Sequence, residues 1–183
     1  MTLQPHHALQ QAESDGPRIY VACLAAYNNG HLHGRWIDAA QDAEDIQSEI
    51  SEMLSASPIP NAEEWAIHDY EGFEGAALAE YSGIETVVKL AGFVSEHGKL
   101  GGKLLAHFCG DLDDAETAFD EYAGQFESLA DFAEEQINDT GPEIPDALKF
   151  YIDWAAMARD MELNGDVFTI ELGFDQVHVF WSR

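Results

Sequence analysis

Two histidines stand two residues apart in His31-Leu32-His33, a spacing that puts both imidazoles on one side of a strand and could begin a metal site, with Asp38 and His68 as conceivable additions. Two ligands do not define a zinc site, which takes three or four. The expectation is therefore a pair of hairpin residues, packed or facing water, and no metal. The run Gly98-Lys99-Leu100-Gly101-Gly102-Lys103 has the composition of a phosphate loop. Its spacing fails, because His97 occupies the position of the first glycine and Leu104 that of the magnesium-binding Ser or Thr; a turn between helices is expected instead. Asp111-Leu112-Asp113-Asp114 opens like a calcium loop, yet Glu116 occupies the sixth position, where that loop requires glycine. Acids capping a helix N-terminus explain the run better. No nucleophile signature such as Gly-x-Ser-x-Gly is present. The reading is of a protein that is not an enzyme and carries no cofactor.

What remains in quantity is carboxylate. The 183 residues hold 35 Asp and Glu against 8 Lys and Arg, a formal net charge of −27 and a pI near 4.2. Such a field repels nucleic acid, anionic membranes and anionic substrates and attracts basic proteins. The charge lies in blocks. Between Arg35 and Lys89 stand 13 acids and no base, and between Lys103 and Lys149 another 13, so the two blocks hold 26 of the 35. Helical spacing turns the blocks into rows: Asp42, Asp45, Glu49 and Glu52 on one face, then Asp113, Glu116 and Asp120, then Glu127, Asp131 and Glu134. Neighbours within such rows are about 5–6 Å apart, and each like pair costs roughly 0.2–0.5 kcal/mol. Ordinary surfaces intersperse Lys to relieve this; these rows do not. A duplex carries one charge per roughly 1.7 Å of axis, so 27 charges correspond to roughly 46 Å of duplex and a homodimer to about twice that. The candidate acidic surface comprises these row residues together with Asp38, Asp69, Glu71, Glu74, Asp111, Asp114 and Glu135. Charge alone leaves three readings open: a mimic of double-stranded DNA, a salt-adapted or cation-binding acidic protein, and an acidic adaptor or inhibitor of another basic DNA-binding protein.

The elements that must position these acids are legible in the patterning. A hydrophobic content of 46% with 11% aromatics is that of a chain that buries a core, not of an acidic disordered tail. Residues 1–17 lack periodicity, which predicts a flexible tail. An α+β part is expected over 18–74: strands at Arg18 to Ala26 and Leu32 to Asp38 joined as a hairpin through Asn29-Gly30, a helix from Asp42 to Leu54 burying Ile46, Ile50, Met53 and Leu54, and a third strand from Glu64 to Tyr70. Residues 75–141 read as helical, broken at Gly98, Gly110 and near Gly124, with Phe119, Tyr122, Leu129 and Phe132 on the buried side. Residues 142–183 read as α+β: one helix from Asp146 to Leu163 closed by Asn164-Gly165, then a hairpin of Asp166 to Leu172 with Gln176 to Trp181. Trp36, Trp65, Trp154 and Trp181 occupy apolar positions, where core packing is expected. Cys23 and Cys109 sit in apolar stretches, which predicts buried free thiols. No run approaches the roughly 18 apolar residues of a membrane span, and the first 17 residues lack the features of a secretory signal, so a cytoplasmic location is expected.

The run Pro17-Arg18-Ile19-Tyr20-Val21-Ala22-Cys23-Leu24-Ala25-Ala26-Tyr27-Asn28-Asn29-Gly30, continuing His31-Leu32-His33-Gly34-Arg35-Trp36-Ile37-Asp38, strongly resembles the opening of the antirestriction protein ArdA family. So does Glu64-Trp65-Ala66-Ile67-His68-Asp69-Tyr70-Glu71-Gly72-Phe73, at the expected distance downstream. The specific motifs lie mainly before residue 75. The resemblance implies an elongated, curved homodimer of three-part subunits, encoded on mobile genetic elements and dimerising through its C-terminal part. It implies a mimic of bent B-form DNA that occupies the DNA-binding groove of type I restriction-modification enzymes. It carries over the acidic surface as a class and singles out no individual carboxylate.

Overall fold

The structure, a computed structural model, describes residues 16–182. The tail expected over residues 1–17 lies, up to residue 15, outside them. The elements run β1 (Arg18–Cys23), α1 (Leu24–Asn28), β2 (Gly34–Asp38), α2 (Ala43–Ser55), β3 (Trp65–Glu71), α3 (Ile84–His107), α4 (Leu112–Asp120), β4 (Tyr122–Phe126), α5 (Leu129–Thr140), α6 (Asp146–Lys149), α7 (Trp154–Leu163), β5 (Val167–Gly173) and β6 (Gln176–Trp181). The class is α+β, as expected. The chain forms two compact units, divided within α3: residues 16–73 with Ala79–Ser95, and Glu74–Leu78 with residues 96–182.

In the first unit an antiparallel sheet has the order β2-β1-β3. Alternation along β1 buries Ile19 and Val21, the period-2 signature of a strand with one face on a core. That core is completed by Ile37, by Ile46, Ile50 and Met53 from α2, and by Ile67 and Phe73. Val87, Leu90, Ala91 and Val94 of the first part of α3 are also buried. Strands β1 and β2 pair as expected, but Asn29-Gly30 is not their turn. Leu24–Asn28 is a short helix, and Asn29 is its C-cap. Gly30 follows at φ 78, its N–H donating to Tyr27 O while His31 N–H donates to Ala26 O. That is the Schellman closure of a helix, so Leu24-Ala25-Ala26, a good helix-forming run, diverts the chain before β2 begins at Gly34. Gly34 itself is required by a close approach: a Cβ there would lie 2.4 Å from Val21 O.

Helix α3 is interrupted at Gly98 (φ 57, ψ −140), the break expected from the sequence; residues 99–103 continue as helix, which disposes of the phosphate-loop reading. In the second unit a sheet of order β4-β6-β5 is antiparallel throughout, and Phe132, Val167 and Val179 form the centre of its core. The terminal hairpin is present as expected. Two other expectations are corrected. Tyr122 to Phe126, expected within a helical region, is the edge strand β4, and its register slips between Tyr122 and Gly124, where Gly124 adopts φ 139; a bulged five-residue strand leaves too little alternation to read. The helix expected from Asp146 to Leu163 is broken into α6 and α7, because Asp153 caps a new start, its Oδ1 accepting from Ala156 N–H at 2.9 Å. The Asn164-Gly165 stop holds, with Gly165 at φ 75 and Asp166 N–H donating to Met161 O. Cys23 is buried and free as expected, but Cys109 is free and exposed. All four tryptophans are half-buried. No helix of the described residues is long and apolar enough to cross a membrane.

Candidate functional site

Every Asp and Glu among the described residues is exposed except Glu49 and Glu121, which are half-buried. This is what their chemistry demands, because a buried unpaired carboxylate costs several kcal/mol or more. The fold nevertheless sorts the expected surface into two kinds. Some of its acids serve the chain. Asp111 caps α4, its Oδ1 accepting from Asp114 N–H at 3.1 Å. The Ser128 hydroxyl donates to Asp131 Oδ2 at 2.6 Å, while Ser128 Oγ accepts from Asp131 N–H at 3.2 Å, closing the start of α5. Asp38 Oδ1 accepts from Ala40 N–H at the end of β2, and Asp69 Oδ1 accepts from Tyr70 N–H. Glu71 pairs with Arg18 across β1 and β3, with Nε to Oε2 at 2.9 Å, and the same guanidinium lies 4.8 Å from the centre of the Trp36 ring. Arg35 lies 3.8 Å from Glu49 and 3.3 Å from Glu52, and Gln41 Nε2 donates to Glu49 at 2.8 Å.

The others carry no ion pair among the described residues. They are Asp42 and Asp45 at the start of α2, Glu74, and, in the second unit, Asp113, Asp114, Glu116 and Asp120 on α4, with Glu127, Glu134 and Glu135. Asp42 is the N-cap residue of α2 but makes no side-chain capping bond. Asp113, Glu116 and Asp120 fall on α4 with the i, i+3 and i+7 spacing of one face. Glu127 departs from its expected row: Ser128 is the N-cap of α5, so Glu127 precedes the helix and only Asp131, Glu134 and Glu135 lie on it. Glu44, Glu63, Glu64, Glu80, Glu85, Asp139, Glu143 and Asp146, counted in the two base-free blocks but not placed in the candidate surface, are exposed as well.

One of these acids, Glu80, acts chiefly on its neighbour Tyr81. The exposed phenol of Tyr81 is held above its usual range, first by a hydrogen bond to Glu80, then by the charge of that same carboxylate, with a smaller push from Glu64. A negative potential penalises the phenolate. The bases that bound the first block are Arg35 and Lys89; Arg35 is spent on Glu49 and Glu52 of α2, and Arg18, ahead of the block, on Glu71 within the sheet.

The residues suggestive of a metal are dispersed. His31 and His33 lie in the connection before β2, not on a strand. His33 Nε2 donates to Met53 O at 2.7 Å, and His68 presents its ring edge-on to Tyr27 at 4.9 Å. No group of three or more His, Cys, Asp or Glu suited to hold a metal ion occurs among the described residues. Among the described residues the exposed acids thus lie mostly on helix faces and at loop ends, where they accumulate fixed negative charge.

Comparison with protein-family models matches residues 19–176 to the family described as antirestriction protein (ArdA). Comparison with curated proteins gives no match.

Proposed function

Because this chain belongs to the ArdA antirestriction protein family, we propose that it exercises antirestriction by presenting its carboxylates in place of the phosphates of double-stranded B-form DNA, and so occupies the DNA-binding groove of a type I restriction-modification enzyme. The observation that carries the reading is the base-free distribution of exposed acid: α2 in the first unit, and α4 and α5 in the second, each expose carboxylates that the chain's own cations do not neutralise. A groove built for DNA holds a layer of condensed anions or is itself strongly cationic, and meeting such a surface releases small ions just as meeting DNA does. The acids proposed to act are those free of structural duty: Asp42, Asp45, Glu74, Asp113, Asp114, Glu116, Asp120, Glu127, Glu134 and Glu135. Asp38, Asp69, Glu71, Glu49, Glu52, Asp111 and Asp131 add to the field while also holding the fold.

The working form is proposed to be a homodimer in the cytoplasm, where restriction enzymes meet incoming DNA. Exposed apolar side chains support the dimer: Leu148, Phe150 and Tyr151 beside α6, and Phe174 at the terminal turn. A large exposed apolar group on an otherwise acidic protein marks a surface that another copy or partner covers.

The test mixes the protein in equimolar excess with a type I enzyme and its substrate DNA. Cleavage and modification are expected to be lost, together with the enzyme's DNA binding, and the block to weaken as salt rises. Undisturbed DNA binding by the enzyme at that excess would end the reading.

A further inference from the structure

One cavity of the first unit is rich in hydrogen-bond acceptors, and among the described residues no Lys or Arg lines it. It has a volume of about 460 Å³ and lies between α2 and the connection to β3, with Gln47, Ser51, Ser55, Asn61, Glu63 and Trp65 in its lining. Gln47, Ser51 and Ser55 stand at i, i+4 and i+8, one row along α2. That row adjoins the buried stripe of Ile46, Ile50 and Met53 without belonging to it. The facing wall is fixed. Ser57 N–H donates to Leu54 O at 3.0 Å, and Leu24 N–H, donating to Glu64 O at 3.0 Å, holds the far end of the connection. Ser57 Oγ accepts from Ile59 N–H at 3.2 Å, and the rings of Pro58 and Pro60 lock two further backbone angles.

The two helix serines are already committed as donors. Ser51 Oγ donates to Gln47 O and Ser55 Oγ to Ser51 O, each at 2.8 Å, so their hydroxyls offer a guest only lone pairs. The side chains of Gln47, Asn61 and Glu63 have no hydrogen bond or ion pair among the described residues, which adds two amide oxygens and a carboxylate. Helix α2 ends at this cavity with no basic residue in its last turn, although the partial negative charge of a helix C-terminus favours one. Acceptors and negative potential together select a cation that carries several N–H donors, and they repel anions. Trp65 decides between the two cations a protein can offer. A guanidinium stacks on an indole and meets a carboxylate with two parallel hydrogen bonds, whereas an ammonium is a compact, strongly hydrated point charge. The volume lies low in the range of ligand pockets, roughly 300–1,000 Å³, and suits one long side chain in place of a larger ligand.

We propose that this cavity, between α2 and the connection to β3, receives an arginine side chain of the basic protein that the acidic surface engages. The inference rests on the function proposed above and adds a discrete anchor in the first unit to a surface otherwise made of many weak contacts. Such an anchor supplies orientation, which a distributed field lacks.

Two experiments on the full chain decide it. In the first, isotope-labelled protein is titrated with acetyl-Gly-Arg-Gly-amide, with the Lys analogue, and with spermidine, and followed by NMR at about 0.1 M salt. The Arg peptide is expected to give saturating shifts centred on the Trp65 indole and the side-chain amides of Gln47 and Asn61, and the Lys peptide to bind several-fold more weakly. Two variants should each remove the saturation: Glu63→Gln, and Ser51→Leu, which narrows the cavity at an exposed helix position without changing charge. A non-saturating drift over all acids, equal for Arg and Lys, would overturn the proposal. So would tighter saturation by spermidine, or saturation that both variants leave unmoved. In the second, inhibition of a type I enzyme is compared for wild type, for these two variants with their far-UV spectra matched to it, and for Glu44→Gln, which removes one charge from the start of α2 away from the cavity. Glu63→Gln and Ser51→Leu are each expected to weaken inhibition about tenfold, the scale of one lost charge-assisted contact, and Glu44→Gln several-fold less. Undiminished inhibition by Ser51→Leu, or equal losses for Glu63→Gln and Glu44→Gln, would overturn the anchor while leaving DNA mimicry standing. A wild-type protein that does not inhibit would end the mimicry reading, and the anchor would then stand or fall on the peptide shifts.

Discussion

The hydroxyl of Tyr122 on β4 lies 2.7 Å from Nδ1 of His178 on β6, tying an edge strand of the second unit to its central strand. His178 is buried, and burial pushes its pKa below the ordinary 6.5, while burial raises that of Tyr122. Both shifts favour neutral partners, so the phenol is assigned as donor to an unprotonated Nδ1 with the ring proton on Nε2. The sign for stability follows. Below pH 6.5 the unfolded chain gains a proton on His178 that the folded chain resists, so stability rises with pH through this window. The contribution is complete above 6.5 and is lost as pH falls through the folded value; Tyr122 acts in the opposite sense, losing stability as pH rises past 10. Urea midpoints of wild type and His178→Gln should therefore converge as pH falls from 7.5 to 5. A constant gap across that range would show that His178 does not titrate with folding.

Gly34 faces Ala22 across the β1–β2 ladder. A methyl group there would stand 2.4 Å from Val21 O and 2.8 Å from the Tyr20 ring, and the carbonyl, held in a central strand, cannot withdraw. Gly34→Ala should cost about 1–3 kcal/mol, the range of overpacking. The check is the denaturation midpoint of the first unit. An unchanged midpoint would mean that β2 slides freely on β1.

Carboxylates that cap helices should be separable from those that only face water. Asp111→Ala removes the acceptor for Asp114 N–H and should cost about 1 kcal/mol. Asp120→Asn, at the negative end of α4, should leave stability unchanged or raise it slightly, because it lessens like-charge repulsion and relieves the dipole. Thermal melts of the two variants decide the matter, and equal destabilisation would contradict the assignment of roles.

The sequence made legible those features that depend on local pattern. The α2 stripe of Ile46, Ile50 and Met53, the Asn164-Gly165 stop and the terminal hairpin are each written within a few residues, and each is present. What failed depended on a choice between two local meanings. Asn29-Gly30 serves a hairpin turn or a helix end equally well, and the preceding Leu24-Ala25-Ala26 decided it. Strand β4 exists because β6 offers it a partner far along the chain, and nothing within Tyr122 to Phe126 announces that. Asp153 looked like one more acid on a helix and proved to be a cap. Of the candidate surface, the exposure and the absence of bases could be read from composition, since charge has nowhere else to go. The duties of Glu71 and Asp131 needed coordinates.

Phe150 and Tyr151 are 93% and 84% exposed, side by side after α6. Leaving both rings in water forgoes roughly 1.5–3 kcal/mol for a fully buried side chain of this size. If a second copy covers them, wild type should sediment as a dimer and Phe150→Asp with Tyr151→Asp as a monomer, with an unaltered far-UV spectrum. Equal sedimentation of the two proteins would remove this segment from the interface.

Salt should act on this protein in two opposite directions. Folding compresses a net charge of −27 into a small volume, and the base-free rows on α4 and α5 place like charges within a screening length of one another, about 10 Å at 0.1 M and 3 Å at 1 M ionic strength. Added sodium chloride should therefore raise the urea midpoint of the protein by itself. Binding to a cationic groove draws on that same unscreened charge and releases ions when it forms, so the affinity of the labelled protein for a type I enzyme, measured directly without DNA, should fall as salt rises. Asp113→Asn with Glu116→Gln and Asp120→Asn removes three charges from one row. It should flatten both trends, raising stability at low salt while lowering affinity there. If affinity proved indifferent to salt while stability responded, the carboxylates would matter to the fold and to solubility but not to recognition, and the proposed mimicry would have lost its physical basis.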